Sequence, residues 1–227
     1  MKLATENPGP SELALILAAE KLFAEHGIAA VSLRQINQAA NQKNISAAHY
    51  HFGSREGLVM AVLSYRWPQL DRRRAEMLNR PASAKDMRFY LEAFILPLVD
   101  ELIPRPEGNY YIRFMQQYER EHGDYEVARR LTPAGVEIYR NIERLIYYVP
   151  EPVRRLRIGY LINMIHSVFA AVEERIGAGA MRYEDVPLTA SNAIDMFAAA
   201  LSAPLSAETI AALPGKQVEK RRGLKPA

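Results

Sequence analysis

The sequence predicts an all-α protein with a small N-terminal head of three helices and a larger helical body. Apolar residues recur at helical spacing along most of the chain, and no segment shows strand alternation followed by a hairpin turn. Proline and glycine divide the chain into stretches of ordinary helix length. Hydrophobic residues make up 49% of the 227 residues, which is enough to build a packed core.

Three short helices are predicted near the N-terminus. The first covers Ser11–His26 and is followed by a glycine, which suits a helix C-cap. Ser32 is a candidate N-cap for the second helix, because its hydroxyl can accept a free backbone N–H. A polar turn at 41–44 then leads to a third helix over about Ile45–Phe52.

The helical pattern continues through the rest of the chain. A fourth helix is predicted over 56–79, with a kink at Pro68 because proline lacks a backbone donor. The remaining predicted helices are Ser83–Ile103, Glu107–His122, Asp124–Tyr148, Pro152–Ile176 and Leu188–Ala203. These elements predict a head over 11–57, a body over 58–213 and a mobile basic tail over 214–227.

Composition excludes several classes of protein. The chain has no cysteine, which excludes disulfides, thiolate metal sites and cysteine catalysis. No apolar run is long enough to cross a membrane and no signal-peptide pattern is visible, so we expect a soluble, cytoplasmic protein without a membrane partner. The net charge of +3 does not by itself predict nucleic-acid binding, because five basic and five acidic residues cancel over residues 1–57.

The predicted third helix has two different faces. One face suits packing against the first two helices and consists of Ile45, Ala48, His49 and Phe52. The opposite face is small and polar and consists of Ser46, Ala47, Tyr50 and His51. Short side chains with hydrogen-bonding tips favour insertion into a DNA major groove. The alternative is a small three-helix bundle with an incidental polar face, since helix-turn-helix geometry also occurs in proteins that do not bind DNA.

This region resembles the DNA-binding region of the tetracycline-repressor (TetR) family. The resemblance lies in the run VSLRQINQAANQKNISAAHYHFGSREGL (31–58), preceded by ILAAEKLFAEHGIAA (16–30). The matching features are Phe23-Ala24-Glu25-His26-Gly27 at the end of the first helix, Ser32, Ile36 and Ala39-Ala40 in the second, and Tyr50-His51-Phe52 followed by Gly53-Ser54-Arg55-Glu56 and Leu58. The resemblance covers about the first quarter of the chain and implies binding to double-stranded operator DNA.

The resemblance also implies roles for individual residues. The DNA phosphate backbone would be held by Ser32, Arg34, Tyr50, His51 and Arg55. The residues at or near base edges would be Lys43, Asn44, Ser46, Ala47 and His49. Each of three residues also has an alternative role without DNA contact. His51 could cap or pack against the first helix, His49 could be structural, and Arg34 could be a solvated surface charge.

The turn before the third helix departs from the family pattern. It reads Ala40-Asn41-Gln42 where the family has Ala-Gly-Val, and the path to Phe52 is one residue longer. Asn41 can adopt the left-handed backbone conformation that a glycine would supply. Because of the extra residue, the assignment of base contacts to residues 43–47 can be shifted by one position.

Tyrosines are dense in the middle of the chain, and they predict a ligand cavity in the body. A buried tyrosine needs a hydrogen-bond partner, and an apolar pocket with a few polar anchors is typical of a small-molecule site. The residues predicted to line the cavity are Tyr111, Phe114, Met115, Tyr118, Tyr139 and His166. The family resemblance implies a small effector, which we expect to be apolar or aromatic and held by one or two hydrogen bonds. The alternative is a plain hydrophobic core.

The last two long helices predict a homodimer. The helix over Pro152–Ile176 has two apolar strips, of which one suffices for the protomer's own core and the other needs a partner. We assign the interface to Leu161, Ile165, Val168 and Val172, together with Ile194, Phe197 and Leu201 on the next helix. The second strip is Leu156, Tyr160, Met164 and Phe169. The alternative is a helix buried on all sides within one chain.

No catalytic motif stands out in the sequence. A glycine-rich phosphate loop, HExxH and G-x-S-x-G are absent, and the five histidines lack metal-ligand spacing, so no cofactor or metal is predicted. We therefore expect a ligand-responsive transcriptional regulator, more often a repressor, that reads a palindromic operator as a homodimer. The fourth helix, shared by head and body, would couple the effector to the DNA. An all-helical enzyme and an interaction module without a DNA-binding role are the alternative functions.

Overall fold

The computed structural model describes residues 8–44, 46–106, 108–121 and 132–214. Every regular element in these ranges is a helix, so the predicted all-α fold class is confirmed. None of the helices in these ranges is both long enough and apolar enough to span a membrane. Nor do the same ranges contain a cluster of three or more His, Asp or Glu side chains placed to hold a metal ion.

The head consists of three helices, α1 (Pro10–His26), α2 (Leu33–Ala39) and α3 (Ala47–Phe52). Ser32 caps α2 as predicted, because its hydroxyl oxygen accepts the N–H of Gln35 at 3.3 Å. The Gln35 side chain accepts the Ser32 N–H at 2.9 Å in return. This reciprocal pair is a capping box, and it satisfies two donors that the helix itself leaves free.

The turn between α2 and α3 contains the backbone conformation predicted for Asn41. Its φ of 51° makes it the one non-glycine residue with positive φ in the described ranges. The third helix begins later than predicted, at Ala47. The side-chain oxygen of Asn44 accepts the Ser46 N–H at 2.9 Å, which keeps the chain in a turn up to that point. Ile45 lies outside the described residues.

Helix α4 (Arg55–Leu78) is shared by head and body. Ser54 caps it by accepting the Gly57 N–H at 3.1 Å, and the helix continues through Pro68. The predicted division between head and body, after residue 57, falls within the first turn of α4. That division remains a prediction, because one continuous set of buried side chains runs from α1 through α4 into the body.

The body contains six further helices and two short 3₁₀ turns within the described residues. The helices are α5 (Met87–Val99), α6 (Tyr111–Glu121), α7 (Pro133–Leu145), α8 (Glu151–Gly177), α9 (Val186–Ser202) and α10 (Ala207–Ala211), and the 3₁₀ turns are Asp100–Leu102 and Tyr183–Asp185. The predicted positions of α6, α8 and α9 are close to these bounds. The start predicted for the helix over 124–148 lies outside the described residues.

Local caps explain the differences at two of these helices. Helix α5 begins later than predicted because the Asp86 side chain accepts the Phe89 N–H at 2.9 Å. Helix α10 was not predicted, and it begins where the Ser206 hydroxyl accepts the Thr209 N–H at 3.2 Å. It lies at the end of the predicted body, before the tail.

Helix α1 packs against the body as well as against its own head. It contacts both α4 and α6. The rings of Phe23 on α1 and Phe114 on α6 stack with their centroids 6.1 Å apart, and both are fully buried. The remaining main contacts are between α6 and α8, and between α5 and α9.

A buried ion cluster also joins head to body. Arg66 on α4 donates through Nε and Nη2 to the two carboxylate oxygens of Glu20 on α1, each at 2.7 Å. Its Nη1 donates to Glu101, in the 3₁₀ turn Asp100–Leu102, at 3.3 Å. All three residues are buried. A bidentate arginine–carboxylate pair has a fixed geometry, so this cluster sets the position of α1 relative to α4.

Candidate DNA-binding face and body cavity

Helix α3 is held in the head by two small residues and one buried amide. Ala47 and Ala48 are both buried. The side-chain oxygen of Asn37, on α2, accepts the Ala48 N–H at 2.9 Å, and its backbone oxygen accepts the Gln42 N–H at 2.9 Å. The role of Asn37 was not predicted from the sequence, although its position next to the core residue Ile36 of α2 indicated a buried side chain.

This anchoring corrects the predicted faces of the third helix. Ala47 was expected to face DNA, but it is buried beside Ala48 because Asn37 draws this end of α3 onto α2. His49 was assigned to the core side, but it is exposed. The outer face therefore consists of Ser46, His49 and Tyr50, and the Tyr50 side chain is 83% exposed.

The predicted base-contacting residues of the turn are also at the surface. Lys43 and Asn44 are exposed immediately before α3, and Arg34 is exposed in the first turn of α2. The first N–H groups of α3 already have partners within the head, since Ala47 donates to the Asn44 carbonyl at 3.1 Å. Lys43 and Arg34 thus supply positive charge beside the outer face of α3.

Three of the residues expected to hold phosphates also have partners inside the head. The Nδ1 atom of His51 lies 3.2 Å from a carboxylate oxygen of Glu12. Arg55 Nη1 donates to the Ala29 carbonyl at 3.0 Å, and the Ser32 hydroxyl donates to the Gln35 side chain at 2.7 Å. These contacts orient the three side chains, and their contact with phosphate remains a prediction.

The body contains a cavity of about 120 Å³ between α4, α5, α6, α7 and α8. Five of the residues predicted to line a pocket do line it, namely Tyr111, Met115, Tyr118, Tyr139 and His166. Phe114 does not. It is the next residue to Met115 on α6, about 100° around the helix, and it points toward α1, where it stacks on Phe23.

Other walls of the cavity were missed from the sequence. They are Trp67, Arg74, Phe94, Leu98, Glu119, Thr132, Val136 and Ile162. A signal was present at Arg74, which interrupts the buried apolar stripe that runs along α4 through Trp67 and Leu70. An arginine within such a stripe is unusual, because arginine is rarely fully buried unless it is paired.

Burial changes the pKa values of two polar groups at the cavity, His166 and Glu119. Burial, together with the field of Arg74, lowers the pKa of His166 to about 3, so its imidazole is neutral at neutral pH. His166 Nδ1 has no hydrogen-bond partner among the described residues and lies 4.0 Å from a carboxylate oxygen of Glu119. Burial raises the pKa of the Glu119 carboxyl, so its protonated form is more favoured in the cavity than it would be in water.

The predicted dimer residues lie inside the protomer. Those that are buried are Leu161, Ile165 and Val172 on α8 and Ile194, Phe197 and Leu201 on α9. Val168 is half-buried and packs against the same core. The strip Leu161–Val172 is internal because α6 packs along this side of α8, where the Glu173 carboxylate accepts the N–H groups of Ile112 and Arg113, each at 3.1 Å.

The second apolar strip of α8 is the exposed one, apart from Phe169, which is buried in the core. Its outward side chains continue onto α9, and the exposed set is Leu156, Tyr160, Met164, Leu188 and Met196. We call this set the α8–α9 face. The two helices that carry these side chains pack against each other.

Comparison with known proteins shows similarity to the head and to the overall fold. Residues 15–62 match the family model described as bacterial regulatory proteins, tetR family. Among solved structures, the chain is similar to a TetR family transcription regulator from Marinobacter aquaeolei VT8, with 19% identity and a TM-score of 0.55. That match covers 82% of this chain and 94% of the other. Comparison with curated protein sequences gives no match.

Proposed function

We propose that this chain, whose head matches the tetR family of bacterial regulatory proteins, acts in the cytoplasm as a homodimeric repressor released from DNA by a small molecule. The proposed role is binding, without catalysis. The observation that carries the proposal is the outer face of α3. Ser46, His49 and Tyr50 are exposed there, while Ala47 and Ala48 hold the other side of the helix in the head.

This face suits a major groove. Serine and histidine can hydrogen-bond base edges, and the Tyr50 hydroxyl can reach a phosphate. The exposed cation Arg34 lies in the first turn of α2 and the exposed cation Lys43 lies in the turn between α2 and α3, and both would contact the backbone of the same duplex. The small head leaves α3 uncovered, so a groove can receive it without rearrangement of the body.

A binding selection tests the DNA-binding role. Fragments of the source genome that the wild-type protein retains would be sequenced, and the recovered site used in gel-shift titrations. Tyr50→Ala should weaken binding by about 1–3 kcal/mol, because a phosphate hydrogen bond is lost. Tyr147→Ala is the matched control, since Tyr147 is also an exposed tyrosine but lies in the body between α7 and α8. Equal affinity of both variants and wild type would contradict the assignment of α3.

For the homodimer we propose the α8–α9 face as the interface, in place of the strip expected from sequence. Five large apolar side chains exposed on adjacent helices are costly in water and would be covered by the same face of a second copy. Two helices from each copy would form a four-helix contact. A twofold dimer would then carry two copies of α3 and read a palindromic operator.

Light scattering tests the interface. The wild-type chain should have twice the 25.7 kDa mass of one chain at micromolar concentration. Met164→Glu should give monomers, because dimerisation would bury an unpaired charge. Tyr50→Glu is the control, since it adds the same charge at an exposed head residue and should leave the dimer intact. A monomeric wild type would refute the homodimer, and a dimeric Met164→Glu variant would refute this interface.

For the effector we propose the body cavity as the binding site. Helix α4 contributes Trp67 and Arg74 to the cavity and Arg66 to the cluster that holds α1. Helix α6 contributes Met115 to the cavity while the adjacent Phe114 contacts Phe23 of the head. A ligand that binds the two positions of the head unequally would thereby change DNA affinity through both helices.

A further inference from the structure

We propose that the effector is a carboxylate whose apolar part is about the size of one aromatic ring, and that its carboxylate pairs with Arg74. This inference rests on the effector role proposed above and names the chemical class of the effector. It depends on the buried guanidinium of Arg74, which lies at the wall of the cavity. No carboxylate of the described residues bonds this guanidinium.

The Arg74 side chain is almost completely enclosed. The residue is 7% exposed, and its guanidinium carbon lies 3.9 Å from the centroid of the Phe94 ring. Its Nε is buried without a hydrogen-bond partner among the described residues. Burial lowers the pKa of Arg74, although an arginine remains charged in a protein. A buried charge that bonds no anion is unfavourable, so a ligand that supplies the opposite charge would relieve this cost.

The nearest acid on the same helix has other partners. The two carboxylate oxygens of Asp71 accept the N–H groups of Ala134 and Gly135, at 3.0 Å and 2.9 Å. Asp71 thereby caps the start of α7. The field of Asp71 favours the charged form of Arg74, but no Asp71 oxygen lies within ion-pair distance of the guanidinium in the described part of the chain. The guanidinium can therefore still bond an anion in the cavity.

The remaining polar groups of the cavity would not replace that anion. His166 is neutral, and burial raises the pKa of Tyr111, which keeps its phenol protonated. The Glu119 carboxyl lies beside His166 and makes no ion pair with Arg74 within the described residues. Neutral hydroxyl and imidazole groups around a guanidinium are suitable secondary partners for a carboxylate.

The size and walls of the cavity limit the rest of the ligand. A dry cavity of about 150 Å³ in another protein accommodates benzene. The cavity here is about 120 Å³, and Trp67, Phe94 and Met115 supply apolar walls. This volume limits the apolar part of the ligand to about one ring or a chain of similar volume, with the carboxylate directed at Arg74.

Calorimetric titration of the full-length protein with matched probes tests the inference. Benzoate and benzamide have nearly the same shape, but only benzoate is charged at neutral pH. The wild-type protein should bind benzoate at least tenfold more tightly than benzamide. Equal affinity for the two probes, or no binding of either, would overturn the proposal.

Two arginine-to-methionine variants test whether Arg74 is the partner of the benzoate carboxylate. Arg74→Met removes the charge and keeps much of the volume, so it should weaken benzoate binding at least tenfold while benzamide binding is retained. Arg72→Met is the matched control, because Arg72 is exposed on the same helix and its removal should leave both affinities unchanged. If Arg74→Met lost both probes equally, or kept full benzoate affinity, Arg74 would not be the anion partner.

Thermal melting and DNA binding complete the test. Arg74→Met should melt no lower than wild type without ligand, since it removes a buried charge that lacks an anion. A markedly lower melting temperature would mean that Arg74 has a structural partner and would overturn the proposal. Benzoate binding without any change in DNA affinity would support the Arg74 site but refute the effector role. DNA release by neutral aromatics alone would support the effector role and overturn the carboxylate.

Discussion

Arg66 and Arg74 are both buried side chains of α4, about two turns apart, and their surroundings are opposite. Arg66 is bonded to the carboxylates of Glu20 and Glu101. Arg74 faces a cavity, and its neighbouring acid Asp71 bonds the backbone of α7 instead. The charge in the middle of the helix is therefore neutralised within the chain, whereas the charge of Arg74, nearer its C-terminal end, would be neutralised by a ligand. The same residue type serves assembly in one place and recognition in the other.

The largest effect on stability is expected from replacing Arg66. Arg66→Met should lower the free energy of unfolding by about 3–5 kcal/mol, because it leaves the buried Glu20 carboxylate without its counter-charge, whereas Glu101 keeps its bonds to Arg73 and Arg105. Urea denaturation measures this change. Arg72→Met provides the exposed control on the same helix and should stay within about 0.5 kcal/mol of wild type. A small effect at Arg66 would remove the distinction between the two arginines.

A carboxylate placed in the cavity should make the surroundings of Arg74 resemble those of Arg66. In Met115→Glu the new carboxylate would lie in the cavity that Arg74 borders, so benzoate affinity should be lost. The same substitution in an Arg74→Met background should cost about 2 kcal/mol or more of additional stability, because the glutamate is then buried alone. A double-mutant cycle in urea measures the difference. Equal costs in both backgrounds would mean that the two groups do not interact.

A smaller, pH-dependent effect is expected at His166. Its pKa is lowered to about 3 in the folded protein, whereas a histidine in the unfolded chain has a pKa of about 6.5. The stability that depends on the neutral imidazole is complete above the unfolded pKa and is lost as the pH falls toward 3. Between pH 7 and pH 5 the wild type should lose about 1–2 kcal/mol more than His166→Gln. Parallel urea curves for the two proteins over this range would exclude a buried, neutral His166.

Features set by local chemistry could be predicted from the sequence. The Ser32 cap depends on residues three positions apart, and the positive φ of Asn41 depends on one side chain. Both follow from short-range rules. The fold class also follows, because helical periodicity extends over most of the chain. The tyrosines that line the cavity were predicted for a similar reason, since buried hydroxyls favour a polar anchor over plain core.

Features set by distant contacts could not be predicted in this way. The orientation of α3 depends on the bond between Asn37 and Ala48, which joins two helices across a turn. Helix α8 carries two apolar strips of similar quality, and only the packing of α6 against one of them decides which is internal. Arg74 gave a local signal, but the availability of its charge depends on the bonds of Asp71 to α7.

The contacts of α1 with the body limit how this protein can be rebuilt. A chimera that exchanged the head at Arg55 for a foreign one would retain Arg66 and Phe114 but lose Glu20 and Phe23, their partners on α1. A new reading head would therefore have to bring a carboxylate and an aromatic ring at those two positions. Without them the graft would expose the body's own core, and DNA specificity could not be exchanged as an independent cassette.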